Sequence, residues 1–264
     1  RPSSRSATLD KALEFYRAVK RYNPNPWHAV TRGLTLKWAT ELPWPRPILE
    51  LGGQDGNVMK LSGRFVDVMV DIFITVGPGK VYGKVIRGDA QSLTLGDAEF
   101  STVVALNMIY HCDRDRVLAE CHRVLNPSGL LIVTDSPGYS KVLTWPYLLE
   151  QAGKKEMAAE WRQKEYALHK VETVPWEWWD TIESKGWQVI TRSQYCSLSL
   201  GRIVRACETL RIFPDIGAPS SAMIEQAERL ALQRDRIEDY LLQDEAMCRE
   251  EGGVFLYLAL RRVP

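Results

Sequence analysis

The sequence contains no C-x-x-C pair, no His/Cys spacing of the kind that grips zinc, no internal repeat and no low-complexity linker. Its five cysteines, Cys112, Cys121, Cys196, Cys207 and Cys248, are an odd number with no framework pattern. Reduced thiols in a cytoplasmic protein are therefore expected, rather than disulfides or a metal site. No apolar run reaches the roughly 20 residues that span a bilayer, and Arg1-Pro2-Ser3-Ser4-Arg5-Ser6 has no apolar signal-peptide core behind it. Net charge is also scarce. A formal +1 over 264 residues gives no reason to expect nucleic acid or an anionic membrane as a partner. A chain of this length can bury a sizeable core, as one large domain or as a domain with an elaborate cap.

What the chain does have is Ile48-Leu49-Glu50-Leu51-Gly52-Gly53-Gln54-Asp55-Gly56, an apolar run closed by an acid and a glycine-rich turn. Pro43, Pro45 and Pro47 forbid a helix just before it, so it reads as a buried strand delivering a loop to a ligand. Glycine-rich turns after strands also occur without ligands, and the middle position of this one is Gln54 rather than glycine.

Two helices, roughly 7–22 and 29–42, precede that strand. Behind it, apolar runs at 64–70, 84–87, 102–106 and 130–134 read as four further strands, with a helix over 113–125 capped by Asp113 and stopped by Asn126-Pro127-Ser128-Gly129. The segment 187–195 alternates like a strand and 254–260 reads as the last one, with helices expected across 139–170, 176–186, 198–211 and 219–250. Strands separated by crossovers rather than hairpins predict an α/β fold: a Rossmann-like, doubly wound, mostly parallel seven-stranded sheet. An N-terminal helical flank (1–46), a ligand-binding core (47–135) and a half carrying a helical cap before the last strand (136–264) are expected as parts of a single domain.

Glu50, Asp71, Asp89, Asn107 and Asp135 fall at or just past the C-terminal ends of successive strands, the edge where open α/β sheets bind ligands. Any one of them is more commonly a cap or turn residue; five in step with the strands point to a site. Glu50 and Asp71, 21 residues apart, have the spacing with which a βαβ site brings an acid to ribose hydroxyls. A dinucleotide and S-adenosylmethionine both fit that spacing. Asp55 would oppose a pyrophosphate, which disfavours an NAD-dependent oxidoreductase.

With Val70-Asp71, Gly88-Asp89-Ala90, Asn107 to His111 and Arg123 to Gly129 following the glycine loop in order, the chain resembles the class I S-adenosylmethionine-dependent methyltransferases (methyltransferase-11-like) over about 47–135. The resemblance implies that Glu50, Gly52, Gly53, Gln54 and Gly56 surround the cofactor's methionine end, with Asn107 facing it. It further implies that Asp71 takes the ribose hydroxyls, Ile72 packs on the adenine, and Asp89 accepts from the exocyclic amine with Ala90 alongside. S-adenosylhomocysteine would be the product. The segment between Asp71 and Val85 and the wording around Asp89 are most similar to methyltransferases of glycan and secondary-product pathways, which implies a small-molecule or saccharide acceptor methylated at oxygen.

The departures from the family are Gln54, Ser101, Ser128 and a 71–84 segment too short and broken for a crossover helix. They motivate an alternative, a non-catalytic S-adenosylmethionine-binding or scaffold protein with a retained fold. His111 is the candidate base, since imidazole titrates near neutrality, and a packing role beneath the acceptor is an equal reading. Tyr110, Tyr139, Trp145 and Trp176 are candidates for lining the acceptor pocket. Six of the nine tryptophans lie between Trp145 and Trp187, and such stripes are more often core. Arg202, Arg205 and Arg211 lie along one expected helix, as a solvated face or as a contact for an anionic acceptor.

Overall fold

Short apolar runs bounded by glycine, proline or acids become the strands of one sheet, and the computed structural model describes residues 4–54, 56–137, 150, 153–169, 176–216 and 227–263 of it and its helices. The strands are β1 (Ile48–Leu51), β2 (Val66–Asp71), β3 (Tyr82–Arg87), β4 (Phe100–Ala105), β5 (Leu125–Asp135), β6 (Trp187–Ser197) and β7 (Gly253–Arg262). They are ordered β3-β2-β1-β4-β5-β7-β6. Pairing from β3 through β5 is parallel, and β7 runs antiparallel to β5. This is the expected mostly parallel, seven-stranded α/β sheet. All four residues of β1 are buried, as a strand covered on both faces requires. Strand order reverses between β1 and β4, so their C-terminal ends flank the switch point where such sheets open a crevice.

The helices are α1 (Ser4–Tyr22), α2 (Pro26–Ala39), α3 (Asn57–Ser62), α4 (Arg114–Val124), α5 (Lys155–His169), α6 (Leu198–Ile216) and α7 (Ile237–Glu251). Three-residue-per-turn helices add Ile109–His111, Trp176–Lys185 and Leu232–Arg236. The chain divides into two compact units, a helical one (Arg1–Lys37, Gly138–His169, Gln194–Phe255) and a sheet unit (Trp38–Pro137, Lys170–Ser193, Leu256–Pro264). Among the described residues, no helix is long and apolar enough to cross a membrane.

Several element boundaries differ from the expectation, and three of them have a clear local reason. The second helix starts at Pro26 instead of 29, because Asn25 accepts from Trp27 N–H at 3.0 Å and proline suits the first helical position. The third strand starts at Tyr82 instead of 84, since Tyr82 pairs with Val66 although Gly83 interrupts the apolar run. The fifth begins at Leu125: that residue pairs with Phe100 and Leu130 with Thr102, so 126–129 bulge between the two pairs with Ser128 at φ 65°. The connection from Asp71 to Tyr82 contains no helix, as its length predicts.

In the sheet unit, the core is built from Leu49, Leu51, Val103, Val117, Leu131 and Trp179, among others. Asp67 ties the starts of β1 and β2 by accepting from Ile48 N–H at 2.8 Å and pairing with Arg46. The Arg46 guanidinium holds the Asp67 carboxyl below the usual range. Arg123 spans the loop before β4, donating to the carbonyls of Leu95 and Leu93 at 2.7 and 3.0 Å, while Glu120 accepts from Leu93 N–H.

In the helical unit, Phe255 stacks on Tyr195 and meets Trp27, with Thr35 and the Tyr195 hydroxyl 2.9 Å apart. Arg205 is buried and paired with Glu208 at 2.7 Å, and Asn25 donates to the other oxygen of Glu208. Its guanidinium sits 5.8 Å from the Trp27 ring. Arg205 is therefore a core cation, and the expected arginine row does not act as one face: Arg202 is exposed. Asp244 closes the turn from β6 into α6 by accepting from Cys196 N–H and Ser197 N–H at 2.9 and 2.7 Å, holding Cys196 at φ 56°. Burial outweighs these bonds, the nearby Lys37 and the Cys248 thiol, and pushes the Asp244 carboxyl up to about 6. An acid whose folded pKa lies above its unfolded value costs stability when ionised, and that cost is relieved as pH falls through about 6. The stability of the protein relative to Asp244→Asn, measured by urea unfolding, is expected to shift in favour of the parent by roughly 1 kcal/mol between pH 7 and pH 5.

Candidate functional site

The parallel ladder of the sheet unit sets the heights of the strand ends. Leu51 pairs with Val70, and the ladder runs on as Gly52 N–H donates to Val70 O at 2.9 Å and Gly88 N–H to Asp71 O at 3.1 Å. The turn after β1 consequently lies beside the end of β2. Gly52 takes φ 76°, and a Cβ there would come within 2.7 Å of Met108 Cβ. Gly56, at φ 69°, leads into α3. Both positions need glycine.

Gln54 stands at the middle position with φ 44°, in the left-handed region that favours glycine. It is held at both of its peptide groups. Its N–H donates to Asp71 Oδ2 at 2.9 Å, and its carbonyl accepts from Thr75 Oγ1 at 3.1 Å. The other Asp71 oxygen accepts from Phe73 N–H at 2.7 Å. Side-chain and backbone partners thus supply what a third glycine would leave to conformational freedom.

Glu50 is 3% exposed and accepts from the Tyr82 hydroxyl at 2.7 Å. Ile72 and Phe73 are 55% and 68% exposed, so two large apolar side chains flank the Asp71 end of the edge. Past β3, Asp89 accepts from Gln91 N–H at 2.9 Å and from the Gln91 amide, and Ala90 is buried behind it. Asn107 adopts φ 55° after β4, its N–H donating to Thr134 Oγ1 at 2.8 Å. The structure therefore puts Glu50, Gly52, Gly53, Gln54, Gly56, Asp71, Ile72, Asp89, Ala90 and Asn107 on the C-terminal ends of β1 to β4 or the turns that follow them.

His111 and Tyr110 follow on the 3-10 turn after β4, with ring centroids 4.3 Å apart and His111 exposed. Burial pushes the adjacent Cys112 thiol up to about 11, which removes it from nucleophilic chemistry near neutrality. Trp176 opens the segment Trp176–Lys185 and packs against the core of the sheet unit. Tyr139, Trp145 and Asp55 lie outside the described residues.

Asp135, the fifth strand-end acid, is occupied otherwise. It is 1% exposed and forms a two-pronged pair with Arg114 at 2.9 and 3.0 Å, while accepting from Trp179 Nε1 at 2.7 Å and Ser136 N–H at 2.8 Å. The pattern of strand-end acids missed this because Arg114 stands in the first turn of an amphipathic helix, where arginine is ordinarily solvated. Tyr82 and Thr75 were also missed: neither repeats with any period, and both act through contacts made only when β1, β2 and β3 align.

The described family "Methyltransferase domain" matches residues 65–133. Among solved structures, an S-adenosylmethionine-dependent methyltransferase from Mesorhizobium loti is similar at 17% identity and a TM-score of 0.51, over 89% of this chain and 100% of that one. An S-adenosylmethionine-dependent methyltransferase from Thermotoga maritima is similar at 15% identity and a TM-score of 0.51, over 94% and 98%. At these identities the likeness is one of fold. The curated proteins contain no match.

Substitutions at two places probe this architecture. Asp135→Ala is expected to destabilise the fold by about 3–5 kcal/mol, because it removes the carboxylate paired with the buried Arg114 guanidinium; the double replacement Arg114→Met/Asp135→Leu is expected to cost less. By thermal unfolding, Gln54→Gly is expected to stay within about 1 kcal/mol of the parent, since relief of left-handed strain offsets a more flexible unfolded chain. Gln54→Val is expected to lose about 2 kcal/mol or more, a β-branched residue being least tolerant of positive φ.

Proposed function

We propose that this chain, whose residues 65–133 match a methyltransferase domain, is a class I S-adenosylmethionine-dependent methyltransferase whose strand-end cradle binds the cofactor and directs the methyl group to oxygen on a small-molecule or saccharide acceptor. The observation that carries this reading is the tie between Gln54 and Asp71, which sets a ribose-binding acid against a tight glycine turn despite the missing middle glycine. A Cβ at Gly52 would strike Met108, and one at Gly53 would come within 2.8 Å of Glu50, Met69 and Tyr82, so the turn packs this closely against those side chains only as glycine. The donor and acceptor set suits adenosine joined to an amino acid, and the loop sequence Gly52-Gly53-Gln54-Asp55-Gly56 brings no cationic residue for a pyrophosphate.

When bound, S-adenosylmethionine supplies an electrophilic methyl group on a sulfonium. The protein's part is placement. Each Asp71 oxygen accepts one backbone N–H and keeps a second lone pair for a ribose hydroxyl. Ile72, exposed beside it, covers the adenine face, and Asp89 accepts from the exocyclic amine with Ala90 beneath. Glu50 and the turn Gly52 to Gly56 receive the α-ammonium end, with Asn107 alongside. Displacement at a methyl carbon needs the acceptor atom in line and near contact distance, and a hydroxyl acceptor must also lose a proton. His111 is assigned that proton, with Tyr110 against its ring, and Trp176 is assigned to the acceptor side. The five free cysteines agree with a reducing, cytoplasmic setting.

Calorimetric titration with S-adenosylhomocysteine tests the reading. The parent is expected to bind it, and Asp71→Ala to bind at least tenfold more weakly, since two hydrogen bonds to a charged acceptor are lost at about 1.5–3 kcal/mol each. Absence of binding, or a variant indistinguishable from the parent, sinks the proposal. Binding without turnover across a broad acceptor panel favours the non-catalytic alternative.

A further inference from the structure

Tyr82 has no counterpart in the motifs from which the site was read, yet it lies directly beneath the glycine turn. It is 1% exposed, at the first position of β3, and β2 stands between β3 and β1. Its side chain reaches across β2 to the end of β1, where the hydroxyl donates to Glu50 Oε2 at 2.7 Å. The position a Cβ would take at Gly53 is 2.8 Å from Glu50 Oε2, from Met69 Cγ and from the Tyr82 hydroxyl alike, so all three converge under that one residue. At Gly56 the corresponding position is 2.9 Å from Tyr82 Cε2. One aromatic ring therefore supports both ends of the turn's second half and holds the only acid of β1 by its carboxylate.

We propose that Tyr82 is a positioning residue, whose hydroxyl fixes the rotation of the Glu50 carboxylate so that it meets the α-ammonium group of the cofactor. The inference rests on the cofactor reading above. The terminal torsion of a glutamate is broad and roughly two-fold, so a carboxylate without a fixed donor samples many orientations. A donor at 2.7 Å on one oxygen selects one of them, and burial at 3% exposure strengthens that hydrogen bond. The packing of the ring under Gly53 and Gly56 keeps the hydroxyl from moving, which makes the orientation a property of the folded protein before any ligand arrives.

A pair of ligands separates this role from a merely structural one. S-adenosylhomocysteine carries the α-amino group, and 5′-methylthioadenosine presents the same nucleoside without it. By calorimetry, Tyr82→Phe is expected to weaken S-adenosylhomocysteine binding about tenfold while changing the affinity for 5′-methylthioadenosine less than about twofold. In a Glu50→Gln background, adding Tyr82→Phe is expected to cause no further loss for S-adenosylhomocysteine. Equal weakening of both ligands, no weakening of either, or a further loss in the double variant overturns the assignment of Tyr82 while the parent's binding leaves the cofactor reading intact. Failure of the parent to bind either ligand overturns that reading and the assignment with it.

Discussion

One carboxylate organises the candidate site. Asp71 ends β2 and accepts two backbone N–H groups, one from Gln54 in the turn after β1 and one from Phe73 in its own following loop. Without the first, the described anchors of the turn after β1 would be Gly52 N–H to Val70 O, the Thr75 hydroxyl on the Gln54 carbonyl, and the internal bond from Gly56 to Gly53. With it, the turn is fixed against the neighbouring strand at a height set by the parallel register, in which Leu51 faces Val70 and the next residue of β2 is Asp71 itself. The same carboxylate that would recognise a ribose is thus also the brace of the loop, and Asp71 joins recognition to local stability. The Thr75 hydroxyl completes the brace by holding the Gln54 carbonyl from the 72–81 connection, which needs no crossover helix to do it.

The buried acids of this protein are held in different ways. Asp135 is neutralised by a two-pronged arginine and two further donors, a saturated arrangement that leaves the carboxylate no task except to join β5, α4 and the segment around Trp179. Glu50 accepts from the Tyr82 hydroxyl and is set under a turn of glycines, an arrangement that orients its carboxylate. Asp244, in the helical unit, follows neither pattern: two backbone donors shape a turn around it, and burial keeps its carboxyl reluctant to ionise.

The fold was legible because its strands obey local rules. Runs such as Ile48–Leu51 and Val103–Ala105 are too short for helices and are closed by glycine, asparagine or acid, and the sheet's order follows from crossovers that a parallel arrangement requires. Boundaries failed where tertiary pairing overrides local pattern. Gly83 hid the start of β3, and the bulge at 126–129 hid that β5 resumes a ladder already begun at Leu125. In the site, the residues at strand ends could be read from spacing; Tyr82, Thr75 and Arg114 could not, since each acts on an element distant in sequence. Arg123, inside the stretch that resembles a family motif, proves to clamp the loop before β4, so part of what makes the motif recognisable is architecture.

The tryptophans show how the acceptor side divides between structure and chemistry. Trp179 and Trp187 are 0% and 2% exposed, Trp178 meets Trp179 edge-on at 4.9 Å, and His122 lies edge-on to Trp187. This aromatic group is core of the sheet unit, and the Trp179 indole N–H is given to Asp135. Past β4 the structure presents the exposed His111 ring with Tyr110 against it. A methyl transfer asks for alignment first and proton removal second. On the proposed reading, a cofactor side braced by backbone hydrogen bonds would leave the acceptor side to a few exposed groups, and differences in acceptor choice would then arise there without disturbing the Asp71 brace.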